Sequence, residues 1–156
     1  MKRTVKTLVV GAFCAVMAGG GAWAQDADAA VKARKALMQL YAHYLGTLGG
    51  MAKGEVDYDA EAASAAAASL ASLANVSQSN MWPQGSDTDA LGDKTRALPV
   101  IWTTYPAIAE KGEAFGKAAA AMADAAGTDL ASLQGAMKDL GASCGACHKD
   151  YRQEKN

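Results

Sequence analysis

Cysteine is scarce in this 156-residue chain: there are three, and Cys14 lies within the first 24 residues. Histidine is scarcer, with only His43 and His148. A structural zinc site normally draws on two ligand pairs. Beyond residue 24 the chain offers Cys144, Cys147, His43 and His148 alone, and His43 is poorly placed to join the others. Runs of β-branched residues are missing, so nothing reads as a strand. That absence also removes the βαβ unit in which a thioredoxin-like dithiol would sit. The apolar stretch Leu8 to Ala18 is too short to cross a bilayer comfortably. Nor is there a basic excess, with 15 Lys and Arg against 16 Asp and Glu, which argues against nucleic acid as a partner.

What is present begins with an export signature. Lys2, Arg3 and Lys6 precede the Leu8–Ala18 run, and Ala22-Trp23-Ala24 forms an A-x-A cleavage site. Residues 1–24 therefore read as a secretory signal peptide, with residues 25–156 as the mature domain beginning at Gln25. Cleavage removes three cations and no carboxylate. It leaves 12 Lys and Arg against 16 Asp and Glu, a net charge of −4. That charge fits docking against a basic patch of a redox partner. The remaining length suffices for one domain with a real core and is too short for two.

Alanine-rich segments with helical periodicity predict four helices. Val31, Arg34, Met38, Tyr41, Leu45 and Leu48 recur at i+3 and i+4 over roughly Ala27 to Ala52, and Gly54 ends this element. Asp57 or Asp59 caps a second helix that runs to about Asn75. Its small side chains suit close approach of another helix, inside a bundle or in a dimer. Ser77 to Val100 reads as a long irregular segment flanked by Trp82 and Trp102. It either covers a cofactor edge or is simply pinned to the bundle. A third helix is expected from Thr103 or Thr104, with Pro106 in its first turn and Ile108, Phe115, Ala119 and Met122 on its buried face. Gly127 closes it, and Thr128 or Asp129 caps the fourth. On that last helix Leu130, Leu133, Met137, Leu140, Cys144, Cys147/His148 and Tyr151 form one apolar stripe. Four helices with mostly short connections give an all-α, antiparallel up-down-up-down bundle.

The chemistry is concentrated in Cys144-Gly145-Ala146-Cys147-His148. C-x-x-C-H is the attachment signature of a c-type haem. Two thiols three residues apart on a helix share a face and can each form a thioether to the porphyrin, and the next imidazole reaches the iron. Cys144 and Cys147 are therefore the cofactor-binding residues for one covalent haem c, and His148 is the proximal iron ligand. In an up-down-up-down bundle the end of the last helix lies beside the start of the first. Met38, about 15 Å into the first helix at 1.5 Å per residue, falls near that level. Met51, Met122 and Met137 fall at the wrong end or too early, whereas Met81 in the long segment remains a rival. Met38 is thus the candidate distal ligand, with a filler of the distal pocket as the other reading. His43 lies about 140° around the helix from Met38 and should face solvent. Arg34 shares the stripe and needs an anion if buried. Haem propionates would supply one, and a rim position with the charge in water would remove the need. Arg152, four residues after His148, either lies over the proximal imidazole or complements the helix C-terminus. No acid–base pair or substrate pocket is visible, so the chain does not read as an enzyme.

Taken together, Arg34-x-x-x-Met38, Leu98-Pro99-Val100-Ile101-Trp102 and Cys144-x-x-Cys147-His148-x-x-Tyr151-Arg152 resemble the class II cytochromes c, the family of cytochrome c prime and its low-spin relatives. The resemblance runs from about Asp26 to Arg152. It implies a left-handed four-helix bundle with haem c between the helices, and a fork in function. In one branch a methionine of the first helix completes six-coordination and the protein is a periplasmic one-electron carrier. In the other the iron is five-coordinate and high-spin and binds nitric oxide or carbon monoxide, often in a homodimer. Lys94-Thr95-Arg96-Ala97-Leu98-Pro99 looks more like the low-spin branch. The expected partners are periplasmic or membrane redox proteins, with the chain itself a monomer or homodimer.

Overall fold

A computed structural model describes residues 20–154, with side chains from residue 26. The expected signal peptide falls largely outside these residues. Five α-helices follow in order: α1 (Gly20–Lys53), α2 (Ala60–Ala74), the single turn α3 (Thr88–Leu91), α4 (Ala107–Ala125) and α5 (Leu130–Tyr151). Two 3-10 turns, Gly92–Lys94 and Pro99–Trp102, complete the segment between α2 and α4. The long helices pack in a ring, α1 on α2, α2 on α4, α4 on α5 and α5 on α1. This is the four-helix bundle that the periodicity predicts.

The helix ends follow from local chemistry. Gly54 adopts φ 73°, a left-handed conformation open to glycine, and α1 stops there. Asp59, rather than Asp57, caps α2 by accepting the Ala62 N–H at 2.9 Å. Asp129 caps α5 through the Ser132 N–H at 2.7 Å, and those hydrogen bonds hold its carboxyl below the usual carboxylate range. Three sequence expectations shift. The first helix starts seven residues earlier than Ala27. The third starts at Ala107 instead of Thr103 or Thr104, because Pro106 serves as its N-cap. Leu130, placed by periodicity on the apolar stripe, is 37% exposed, since it sits in the first turn of α5 beyond the reach of the core.

The core consists of Leu37, Tyr41, Leu48 and Met51 of α1, Ala63, Ala66, Ala67 and Leu70 of α2, Ala119 and Met122 of α4, and Leu133 and Leu140 of α5, with Ala126 just past α4. The alanines of α2 let its neighbours approach its backbone. Part of the Ala-rich composition is thus spent inside the bundle. The turn after α4 is just as close. A Cβ at Gly127 would overlap the Ser64 hydroxyl and lie 3.3 Å from Ser64 Cβ and 3.4 Å from the Ala60 carbonyl. Gly127→Ala should therefore destabilise the bundle by about 1–3 kcal/mol, the usual cost of overpacking. Adding Ser64→Ala should return part of that loss, as read by denaturant unfolding of the two variants.

Candidate haem site

Contacts between α1 and α5 set the register of the site. Gln134 Nε2 donates to the Ala52 carbonyl at 2.8 Å, and a Cβ on Gly49 would sit 3.7 Å from Met137 Cε. Further along, burial first and then the proximity of Cys144 push the Tyr41 phenol above its usual range. Each step forward on α1 is a step back on α5, so the helices are antiparallel. One turn before Tyr41, Met38 falls level with Cys147 and His148. By the same register Arg34 is level with Tyr151 and Arg152, while Met51 lies near residue 135, at the far end.

Cys144 and Cys147 occur at i and i+3 on α5 and share a face. Both are free and half-buried, and burial raises both thiols above their usual range. Cys147 packs on a second apolar cluster made by Ala97, Ile101 and Tyr151. His148 is half-buried and held below the usual imidazole range, first by desolvation and then by the positive charges of Arg152 and Arg96. These surroundings favour the uncharged imidazole, the form that binds a metal. Met38 is 40% exposed. Leu37 takes the buried position in that turn, so Met38 lies at the edge of the apolar stripe instead of its centre. His43 is exposed, as its position on the helix predicts, and rests edge-on against Tyr44. Met81 is half-buried against the main core.

Arg34 departs most from expectation. It is 4% exposed, and among the described residues no carboxylate pairs with it. Its Nη1 donates to the Met81 carbonyl at 3.2 Å and to Ser86 Oγ at 2.7 Å. Its Nη2 donates to the Ser86 carbonyl and, at 2.9 Å, to Thr95 Oγ1. The guanidinium also lies 4.7 Å from the Trp82 ring centroid, within cation–π range. All four Nη hydrogens are thus engaged by neutral oxygens, leaving Nε–H as the only free donor. Burial lowers the Arg34 pKa and the nearby Asp87 partly restores it.

The segment from 77 to 100 is therefore pinned, with Trp82 and Trp102 among its anchors. Trp102 Nε1 donates to the Trp82 carbonyl at 3.0 Å, and the two rings lie 6.3 Å apart. The chain after α5 closes the same end. Arg152 pairs with Ala97 in an isolated antiparallel bridge, the Leu98 N–H donates to the Tyr151 carbonyl, and the Gln153 N–H donates to the Arg96 carbonyl. Arg152 itself is exposed at the helix C-terminus, where its backbone N–H reaches the His148 carbonyl. Sequence reasoning missed Ser86, Thr95 and Arg96. They sit in irregular chain with no period to reveal them, and only the demand of a buried guanidinium for acceptors hinted that partners existed.

The residues present fit a covalently held haem. Two unpaired thiols share one face, an imidazole follows them, and a thioether at their level is not covered by protein. Two open grooves of about 440 and 270 Å³ lie elsewhere, and neither is lined by these side chains. Such a bundle, with thiols and imidazole on its last helix, defines a four-helix c-type cytochrome. Residues 29–152 match the family model described as Cytochrome C', and the chain belongs to that family. Its cofactor is one covalent haem c.

A similar relative is cytochrome c-554 of Cereibacter sphaeroides, 52% identical over 136 residues, or 85% of this chain and 88% of that protein. Among solved structures, cytochrome c' from "Rhodobacter Spheriodes" is 37% identical with a TM-score of 0.80, covering 83% of this chain and 98% of that one. Another cytochrome c', described as having an unusual ligand-controlled dimer dissociation, is 26% identical with a TM-score of 0.75, covering 82% and 97%.

Removal of Arg34 tests its place in this end of the molecule. Arg34→Met should leave the Met81 and Ser86 carbonyls short of donors and cost about 2–4 kcal/mol. Arg34→Lys should recover only part, because an ammonium cannot reproduce the fork. Hydrogen exchange should rise first at the amides of residues 82–97, with α2 amides unaffected.

Proposed function

We propose that the chain is a periplasmic one-electron carrier in which Cys144 and Cys147 hold the haem and His148 and Met38 ligate its iron. The observation that carries this reading is the shared level of Met38 and His148 on antiparallel helices, with surroundings that favour the neutral imidazole. When bound, haem c supplies an iron that takes up and releases one electron, and thioether ligation raises its potential. The chain's own residues do the rest. Tyr41, Leu140 and the half-buried Phe115 pack beneath the site and exclude water from its inner side. Arg34 fixes the Trp82 segment against α1, and its Nε–H remains open to a propionate. Arg96 and Arg152 keep positive charge beside His148, which disfavours protonation of the imidazole.

The high-spin, gas-binding reading is favoured by one observation. Met38 is 40% exposed at the margin of the apolar stripe, so the main core does not hold its sulfur toward the iron. Spectra separate the two. The reduced holoprotein should show a sharp α band that carbon monoxide leaves unchanged. Met38→Ala should convert it to a high-spin form that binds carbon monoxide, while Met81→Ala should leave the spectrum as it was. A wild-type protein that is already high-spin overturns the carrier reading.

Among the described residues no helix is long and apolar enough to cross a membrane. The periplasmic assignment rests instead on the leader-like first 24 residues and on the attachment of haem c outside the cytoplasm. Protein recovered from the periplasm should have the intact mass of a chain starting at Gln25 plus one haem. A full-length mass, or recovery with the membrane fraction, would contradict removal of residues 1–24.

A further inference from the structure

The level of Tyr41 and Cys144 divides the bundle into two halves of different charge. Tyr41 donates to the Leu73 carbonyl, and Lys111 of α4 pairs with Asp150 of α5 at 3.1 Å, so the same level can be followed onto α2 and α4. Residues 42–72 and 118–143 form the far half, with two lysines against seven carboxylates. The described residues of the C-x-x-C-H half, starting at Asp26, hold nine cations against nine carboxylates. The acidity of the mature chain therefore resides in the half that lacks the haem residues. Within the other half, cations gather around His148. Arg96 and Arg152 both act on its imidazole, and Lys149 adjoins it. None of the three is in an ion pair among the described residues, whereas Asp150 is already taken by Lys111.

The same end also carries the exposed aromatic surface. Tyr105 is 80% exposed and follows Thr104, whose Oγ1 is 3.2 Å from the Tyr151 hydroxyl. Trp82 and Trp102 are half-buried at the same end and pack, as Cys147 does, against the cluster of Ala97, Ile101 and Tyr151. Tyr, Trp and Arg are the residue types that dominate binding energy at protein interfaces.

We infer that this end, with Arg96, Lys149 and Arg152 around Tyr105, Trp82 and Trp102, is a docking surface for an acidic redox protein. The inference rests on the carrier reading and reverses the partner expected from net charge alone. A basic partner would be drawn to the acidic half, whose tip at Lys53 is 15 residues, or about 22 Å, along α1 from the level of His148. An acidic partner is turned toward the haem end by the same charge separation.

The test uses the holoprotein. Hexacyanochromate(III), a paramagnetic trianion that is not reduced under these conditions, should broaden amide signals of residues 96–98, 103–106 and 149–153 at low salt. The broadening should fade as salt shortens the Debye length. Electron exchange with hexacyanoferrate(III) should fall several-fold relative to exchange with hexaammineruthenium(III) in Lys149→Glu, the comparison of two oxidants on one variant offsetting any change in midpoint potential. Broadening that is uniform, or centred on residues 53–61, overturns the surface. So does binding to phosphatidylglycerol vesicles at physiological salt, or salt-sensitive end-to-end self-association, because either gives this end another occupant. If the broadening maps as expected but neither reagent exchanges electrons, the carrier reading fails while the anion-facing surface stands.

Discussion

One buried positive charge organises the end of the molecule where the chemistry lies. Taking a guanidinium out of water costs several kcal/mol, and Arg34 is in no ion pair among the described residues, with the nearby Asp87 offsetting only part of that cost. The cost is met by four hydrogen bonds to neutral oxygens and by the Trp82 ring. Those acceptors come from residues 81, 86 and 95, so a segment with little regular structure can satisfy the arginine only by adopting one shape. The Trp82–Trp102 contact, the single turn α3 and the pairing of Arg152 with Ala97 all depend on that shape. The arginine is as much a scaffold as a contact.

The rest of the bundle follows a simpler rule. Small residues on α2 and at Gly127 bring backbones close, larger residues on the facing helices fill the remaining space, and aspartates at Asp59 and Asp129 define where helices begin. This rigid frame gives the register that sets Met38 opposite His148. A slip of one residue would rotate Met38 by about 100° away from that line, so the positions of both side chains depend on core contacts two turns away.

Much of this was legible in the sequence because it is periodic or local. The four helices, the aspartate caps of α2 and α5, the exposure of His43 and the C-x-x-C-H face of α5 all follow from spacing and from short-range hydrogen bonding. The illegible parts are those set by distant partners. Periodicity puts Met38 in the stripe, yet Leu37 wins the buried position, a choice made by neighbouring helices. Chemistry says that a buried Arg34 needs acceptors and suggests an anion. That Ser86 and Thr95 supply them depends on the path of an aperiodic segment. Net charge describes the whole chain and conceals that the acidity is gathered in one half.

The pairing of Arg152 with Ala97 bears on the time course of assembly. Residues 34 and 86, 52 and 134, and 97 and 152 meet across wide gaps in the chain. Contacts at such separations form late, because the loops they close carry a large entropy. A chain synthesised from its N-terminus has made α1, α2 and α4 before Cys144 exists. The thiols are thus the last part of the site to arrive, and the strap formed by residues 96–98 and 152–153 closes behind them. The end of the molecule that carries the thiols is therefore also the end whose long-range pairings close the fold.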